Sequence, residues 1–552
     1  MDLVLRNALV VDGTGAGGRG ADVGVAGDRI VAVAPPGELD AAGAEVVDLE
    51  GLVLAPGFVD IHTHYDAQVL WDPDLTPSSW HGVTTVVTGN CGFSIAPTRP
   101  ADRGVIARTL ENVEGMSVEA LEAGIPWNFE TFPEYLDALD HIGKRLNLGA
   151  MIGHTALRTY VLGADAVERP ATEEETARMR ELVAEAIAAG AVGFATSKAS
   201  THTGDAGKPV PSRLAELEEI RALAGALGEA GRGIVQITSG PGMFLQQFAD
   251  LSKEIGRPVS WTALVAGGRR PVLELLNDQA SMGGEVWPQV ACRPIVMQVT
   301  LADPFPFAIF EPFKAILAQP RAARADLYAD PAWRERARTD MSALWGPRWA
   351  KVSVQETKLH RELTGKTAPS MAELAARRGV DPLDAMVDLA LEEDLATRFR
   401  VVLANDDEES IGQLLQDDRT LLGLSDAGAH ASQLCDACYS THLLEHWVRE
   451  TGTITLEQAV WRLTGQPAQV FRIPRRGRIA EGYYADLVAF DADTVGVDGE
   501  LERVWDFPAG ADRLIARSVG IEHMWVNGSP VRRDGKDVDG ARPGVLIRGG
   551  DR

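Results

Sequence analysis

Two histidines one residue apart, His62 and His64 in "PGFVDIHTHYD" (56–66), are the first residues of this chain whose types and spacing could do chemistry. A short apolar run, Phe58-Val59-Asp60-Ile61, leads into them, and Asp66 follows two residues later. On an extended segment residues i and i+2 point to the same side, so both imidazoles can converge on one object. The commonest object that two imidazoles share is a metal ion. The plain alternative is a polar loop that happens to hold two histidines, and the rest of the chain has to separate the two.

Other apolar runs end in comparable residues. "VTTVVTGNCG" presents Asn90 and Cys91, "LNLGAMIGHT" ends in His154, and "AVGFATS" leads into "TSKASTH" with Lys198 and His202. "LLGLSDAGAH" presents Asp426 and His430. Any one of these could be a core polar residue or a cap. Five runs offering metal ligands or acid–base groups at the same end are harder to dismiss.

The elements needed to position such residues follow from the pattern of the chain. Eight strand-like runs can be counted, the four above together with "GFVDIHTH", "GIVQITS", "PVSWTALVA" and "EVWPQVACRP". Helical patterns separate several of them, for example "EEETARMRELVAEAIAAG" before the fourth in chain order. Runs that are apolar throughout fit parallel strands covered by helices on the outside. The expected fold is therefore α/β, a (β/α)₈ TIM-like barrel, whose functional residues would lie at the C-terminal ends of its strands. An open doubly wound sheet is the rival, but no G-x-G-x-x-G follows the first strand.

Both ends of the chain read instead as short strands with Gly/Asp turns. They imply a small β-sandwich domain built from residues 1–55 and 471–552, with the barrel over 56–470. Between the seventh and eighth runs lies a long gap, 297–418, rich in Pro and aromatics, expected to be a lid or substrate-facing insertion.

Bulk composition narrows the function classes. A net charge of −26 argues against an extended nucleic-acid surface or an anionic-membrane patch. No run of about 18 apolar residues is present to span a membrane, and the N-terminal residues lack a secretion-signal pattern, so a cytoplasmic location is expected. Four cysteines are too few for a disulfide framework. The Cys435–Cys438 C-x-x-C stands alone and reads as packing.

With those residues in place, the chain resembles the amidohydrolase superfamily. The resemblance rests on His-x-His after strand one, the strand-eight Asp of "LSDAGAH", and the terminal stretches "VDGTG", "GDRIVAV" and "GRIAEGYYADLVAFD". Within it, "TGNCGFSIAP", "GHTALR", "GLSDAGAH" and "LTGQPAQVF" are similar to the N-acyl-D-amino acid deacylase (D-aminoacylase) branch. The resemblance implies that His62, His64 and Cys91 bind zinc. It also implies that Asp426 both touches the metal and acts as catalytic base. His154 and His202 are candidates to stabilise an oxyanion. Lys198, Arg158 and Arg293 are candidates to bind a substrate carboxylate, with a surface ammonium as the alternative for Lys198 and a structural ion pair for the two arginines.

The chain also departs from the branch. The best-known members supply one zinc-binding histidine from strand five and one from strand six, where this chain places Gln236 and Trp261. No histidine lies between His202 and His360 at all. One Zn²⁺ is therefore expected rather than two, with another divalent ion, or a site remodelled around His154, His202 or Lys198, as the alternatives. The implied activity is metal-dependent hydrolysis of the C–N bond of an N-acyl-D-amino acid or similar small amide. A cyclic-amide hydrolase, a deaminase, or a non-catalytic binding protein with a degenerate metal site are the alternatives. The expected partner is the small acylated substrate, without nucleic acid or membrane, and a homo-oligomer is left open.

Overall fold

The computed structural model describes residues 1–268, 270–365 and 367–549. Its centre is an eight-stranded sheet in which strands follow one another in chain order. The strands are Phe58–Asp60, Val83–Thr88, Asn147–Gly153, Gly193–Ser197, Ile234–Thr238, Val259–Thr262, Val286–Val290 and Leu421–Leu422. Every neighbouring pair is parallel. The first and last strands close on each other through a parallel bridge between Thr63 and Ala427, where His64 N donates to Ala427 O at 2.7 Å. All eight apolar runs of the sequence are barrel strands. Most are buried along their whole length, as strands covered on both faces must be.

Helices pack outside. Glu173–Ala189 illustrates why they begin and end where they do. Thr172 and Glu175 form a capping box at its start, and Gly190 ends it at φ 118°, a conformation that suits glycine. Barrel strands contribute Val59, Val87, Met151, Ala195, Ile234 and Leu421 to an apolar cluster that also holds Phe471 and Ile473 from beyond the last helix.

The two chain ends are joined in one continuous nine-stranded sheet. The join is antiparallel pairing of Val53–Pro56 with Leu487–Phe490, over a core that includes Leu5, Val23, Leu54, Leu487 and Trp525. Part of the C-terminal stretch leaves this sheet. A hairpin of Gly496–Val504 and Arg513–Val519 packs on the barrel instead, where Leu514 N donates to Ala431 O at 2.7 Å.

Between the seventh and eighth strands the chain folds into a unit of its own. Ile295–Thr300, Arg398–Ala404 and Val352–Glu356 form an antiparallel sheet. Helices flank it around an aromatic core, with Trp333 edge-on to Phe313 and Tyr328 at centroid distances of 5.2 and 4.9 Å. This core is separate from that of the barrel. The Pro- and aromatic-rich composition is thus that of a small domain. Among the described residues, no helix is long and apolar enough to cross a membrane.

Candidate metal centre and substrate cavity

His62 and His64 follow the first strand directly, and their rings lie 5.4 Å apart between centroids. Each ring is oriented through its Nδ1. Gln289 gives Nε2–H to Ser260 Oγ (2.9 Å), which leaves its Oε1 to accept from His62 Nδ1 at 2.6 Å. Glu114, at the end of helix Arg103–Glu114, sets Oε1 3.0 Å from His64 Nδ1, an ion pair short of an aligned hydrogen bond. Both Nε2 atoms are thereby left for the centre. Outer partners of this kind fix the tautomer of a metal-binding histidine.

Cys91 reaches the same point from the second strand. Gly89 turns the chain there at φ 87°, and a Cβ on it would meet Met151 O at 2.2 Å, so only glycine fits. Cys91 itself sits at φ 56°, its N–H given to Gln236 Oε1 at 2.7 Å. Its Sγ lies 3.4 Å from His62 Nε2. The ligand atoms of His62, His64 and Cys91 all lie within 4.8 Å of one another, and all three residues are buried.

Asp426 stands beside the group, near its two imidazoles. Its Oδ1 is 3.2 Å from His62 Nε2 and 3.8 Å from His64 Nε2. The loop that carries it is laced to the strand-one loop: Ser425 Oγ donates to His62 O at 2.9 Å. Gly428 at φ 91° approaches so closely that a Cβ would stand 2.7 Å from His64 O. Asp426 holds φ 44°, an uncommon conformation for a side-chain-bearing residue and one that requires such support.

The electrostatics suit a cation. Burial disfavours charge on His64, but Glu114 and Cys91 beside it push its pKa well above the ordinary value. Burial alone would raise the Cys91 thiol, and the two imidazoles instead bring it down to about 7. Two imidazoles, a readily ionised thiol and a carboxylate, converging with their outer nitrogens already engaged, form a donor set that fits a divalent ion such as Zn²⁺.

Above this cluster, between barrel and insertion, lies a cavity of about 450 Å³. The barrel lines it with Asp426, His202 and His430, and the insertion lines it with apolar side chains including Ile295, Met297 and Trp345. His202 has its ring against Phe93, 5.1 Å between centroids, and Nδ1 2.7 Å from Ser197 Oγ. Burial lowers its pKa to about 4, so the ring is neutral near pH 7.

The structure places several of the expected site residues away from the cavity. His154 is the first residue of helix His154–Leu162, and that places its ring in the helix layer. There Nδ1 meets Thr196 Oγ1 and Nε2 meets Glu219 Oε1, each at 2.8 Å, so neither nitrogen serves the cavity. Arg158, one turn later and fully buried, pairs with the same Glu219 at 2.5 Å and lies outside the cavity lining, which favours the structural alternative. Lys198 gives Nζ to the carbonyls of Arg213 and Ala215 at 2.6 and 2.7 Å, tying down the loop after strand four.

Trp261 faces outward, donating Nε1–H to Gln279 Oε1 at 2.7 Å and stacking on Phe248. The residues that strand six turns into the barrel are Ser260 and Thr262. Gln236, on strand five, does point inward: its Oε1 is taken by Cys91 N, and its Nε2 is 3.4 Å from Thr262 Oγ1. Arg293 donates Nε–H to Asp436 Oδ1 at 2.8 Å and lies outside the cavity lining, which favours the structural alternative. Cys435 and Cys438 are free and buried, their thiols pushed up by burial.

Sequence reasoning missed Glu114 and Gln289. Gln289, like Gln236, is a polar residue inside an otherwise apolar run, a signal that could have been used. Glu114 ends a surface-like helix pattern and carries no such signal.

Comparison with known proteins adds an independent line. A family model described as the amidohydrolase family matches residues 45–532. The chain is 32% identical to the D-aminoacylase of Alcaligenes xylosoxydans xylosoxydans over 533 residues, 96% of this chain and 94% of that one. It is 30% identical to the N-acyl-D-glutamate deacylase of the same organism over 553 residues, 99% and 96% of the two chains. Among solved structures, a D-aminoacylase superposes with a TM-score of 0.69 at 28% identity, covering 99% of this chain and 100% of that one. The N-acyl-D-glutamate deacylase of Bordetella bronchiseptica, solved with zinc and a phosphonate mimic of the tetrahedral intermediate, gives 0.69 at 27% identity over 99% of each chain.

Proposed function

The chain belongs to the amidohydrolase family, in its D-aminoacylase branch, and from that premise we propose that it hydrolyses the amide bond of small N-acyl-D-amino acids with one bound divalent ion, most simply Zn²⁺. The observation that carries this reading is the position of Asp426. Its carboxylate lines the cavity while Oδ1 stays 3.2 Å from His62 Nε2, so one side chain faces both the ligand cluster and the substrate space.

His62, His64 and Cys91 would hold the ion, with Asp426 beside it. When bound there, such an ion supplies Lewis acidity to the acyl carbonyl and to the attacking water. The remaining chemistry belongs to the chain. Asp426 accepts a proton from the water as it attacks, then delivers it to the departing nitrogen, so the products are a carboxylate and an amine. General acid–base transfer of this kind contributes on the order of 10²–10⁴-fold. His202, neutral and with Nδ1 engaged by Ser197, has Nε2 left to meet the carbonyl oxygen as charge develops on it.

The inner residues of strands five and six support one ion rather than two. Gln236 and Thr262 hold each other, and the amide oxygen of Gln236 is committed to Cys91 N. Amides and hydroxyls are poor zinc ligands in any case. The test is amine release from N-acetyl-D- and N-acetyl-L-amino acids by the purified, zinc-supplemented protein. Turnover of one hand, reduced on the order of 10²–10⁴-fold in Asp426→Asn with metal retained, is expected. No turnover of any member of the panel would overturn the reading.

A further inference from the structure

The walls of the cavity say more about the substrate than the ligand cluster does. On the insertion side they are made of Ile295, Met297, Ile309, Leu344, Trp345 and Leu403. Ile309 and Leu344 remain 45% and 56% exposed, in a chain that buries most side chains of their size. Apolar surface left open toward a cavity gains by being covered.

Among the lining residues only Arg348 carries a permanent positive charge. It sits in the short turn Gly346–Lys351 that follows helix Pro331–Trp345. Its guanidinium lies 5.9 Å from the Trp345 ring centre and donates Nη1–H to the Leu403 carbonyl. Among the described residues no carboxylate lies within salt-bridge distance of it. The contrast with its neighbours is plain, because Arg334 and Arg338 on the preceding helix both pair with Asp384. In a chain of net charge −26, a half-buried arginine without an acid partner beside an apolar cavity is suited to receive an anion from outside. A guanidinium matches a carboxylate with two parallel N–H donors.

We propose that Arg348 receives the carboxylate of the substrate's amino-acid half, and that the substrates are N-acyl amino acids with a single carboxylate and an apolar side chain. This rests on the hydrolytic reading above. It separates the chain from dicarboxylate substrates such as N-acyl-aspartate and N-acyl-glutamate. A second carboxylate in this cavity would lie against apolar walls or near Asp426, unpaired and poorly solvated, and that is costly.

Two measurements test it. The first is calorimetric binding of N-acetyl-D-leucine and of its carboxamide in the Asp426→Asn background, with and without Arg348→Met. The expected result is at least tenfold weaker binding of the carboxylate when Arg348 is lost, no such change for the carboxamide, and partial recovery with Arg348→Lys. The second is kinetics of the otherwise native enzyme, in which Arg348→Met raises KM for N-acetyl-D-leucine and N-acetyl-D-glutamate is at least tenfold poorer than N-acetyl-D-leucine. Equal binding of the carboxylate with and without Arg348, or equal turnover of the glutamate and leucine derivatives, would overturn the proposal. Binding through Arg348 without hydrolysis would instead sink the hydrolytic reading and leave the receptor standing. Hydrolysis indifferent to Arg348 would do the reverse.

Discussion

Two buried histidine–glutamate pairs lie on opposite sides of this barrel's wall, and they behave in opposite ways. His64 meets Glu114 at 3.0 Å, and its pKa is pushed well up. His154 meets Glu219 at 2.8 Å, yet burial wins and its pKa is lowered. The residue types match, the distances nearly match, and both histidines follow barrel strands. What differs is the company. Glu219 is already neutralised by Arg158, with Lys198 adding positive charge, whereas His64 has Cys91 as a second anionic neighbour. The first pair keeps a nitrogen for the centre. The second uses both. A functional site is therefore recognised by donor atoms left uncommitted, more than by residue type or by position at a strand end.

Perturbing each pair should expose the difference. Glu219→Gln removes the charge that compensates Arg158, which is fully buried. Stranding a buried cation costs on the order of 3–5 kcal/mol, so the denaturant midpoint should drop clearly while metal content stays constant. A large loss of metal with no loss of stability would assign that pair to the site after all.

Glu114→Gln acts on the other side. It should weaken metal affinity about 10- to 100-fold, as loss of an outer partner does, with little change in the denaturation midpoint. Chelator competition measures this, and an unchanged affinity would remove Glu114 from the positioning role.

The smallest effect is one of pH. Because the folded pKa of His154 is below its unfolded value near 6.5, the unfolded chain binds the extra proton. The stability this contributes is present in full above pH 6.5 and is lost as pH falls from there through the folded value, at up to about 1.4 kcal/mol per unit. His154→Gln should flatten that part of the stability–pH curve. A curve of the same slope would show that His154 is not held neutral.

Much of this was legible in the sequence because it depends on period and order. The eight apolar runs are the eight strands, and the residues at the ends of runs one, two and eight do meet. Directions were harder. By position Trp261 falls near the site of the branch's strand-six histidine, but strand parity turns it toward Phe248 and Gln279 and leaves Ser260 and Thr262 inside. His154 begins a helix without any loop, and that swings its ring out. The spacing of His154 and Arg158, four apart on that helix, does place them on one face, and their common partner Glu219 was the missing term. Glu114 and Arg348 come from segments with no periodic relation to the strands, so only the folded chain brings the first behind His64 and the second to the cavity wall.

The proposed chemistry depends on the ligand cluster, and metal stoichiometry of the purified protein tests that cluster most directly. The expected result is about one divalent ion per chain, lost in Cys91→Ser and in His62→Ala but kept in His154→Gln. No ion after incubation with zinc, two ions per chain, or an ion indifferent to Cys91 and His62 would contradict it.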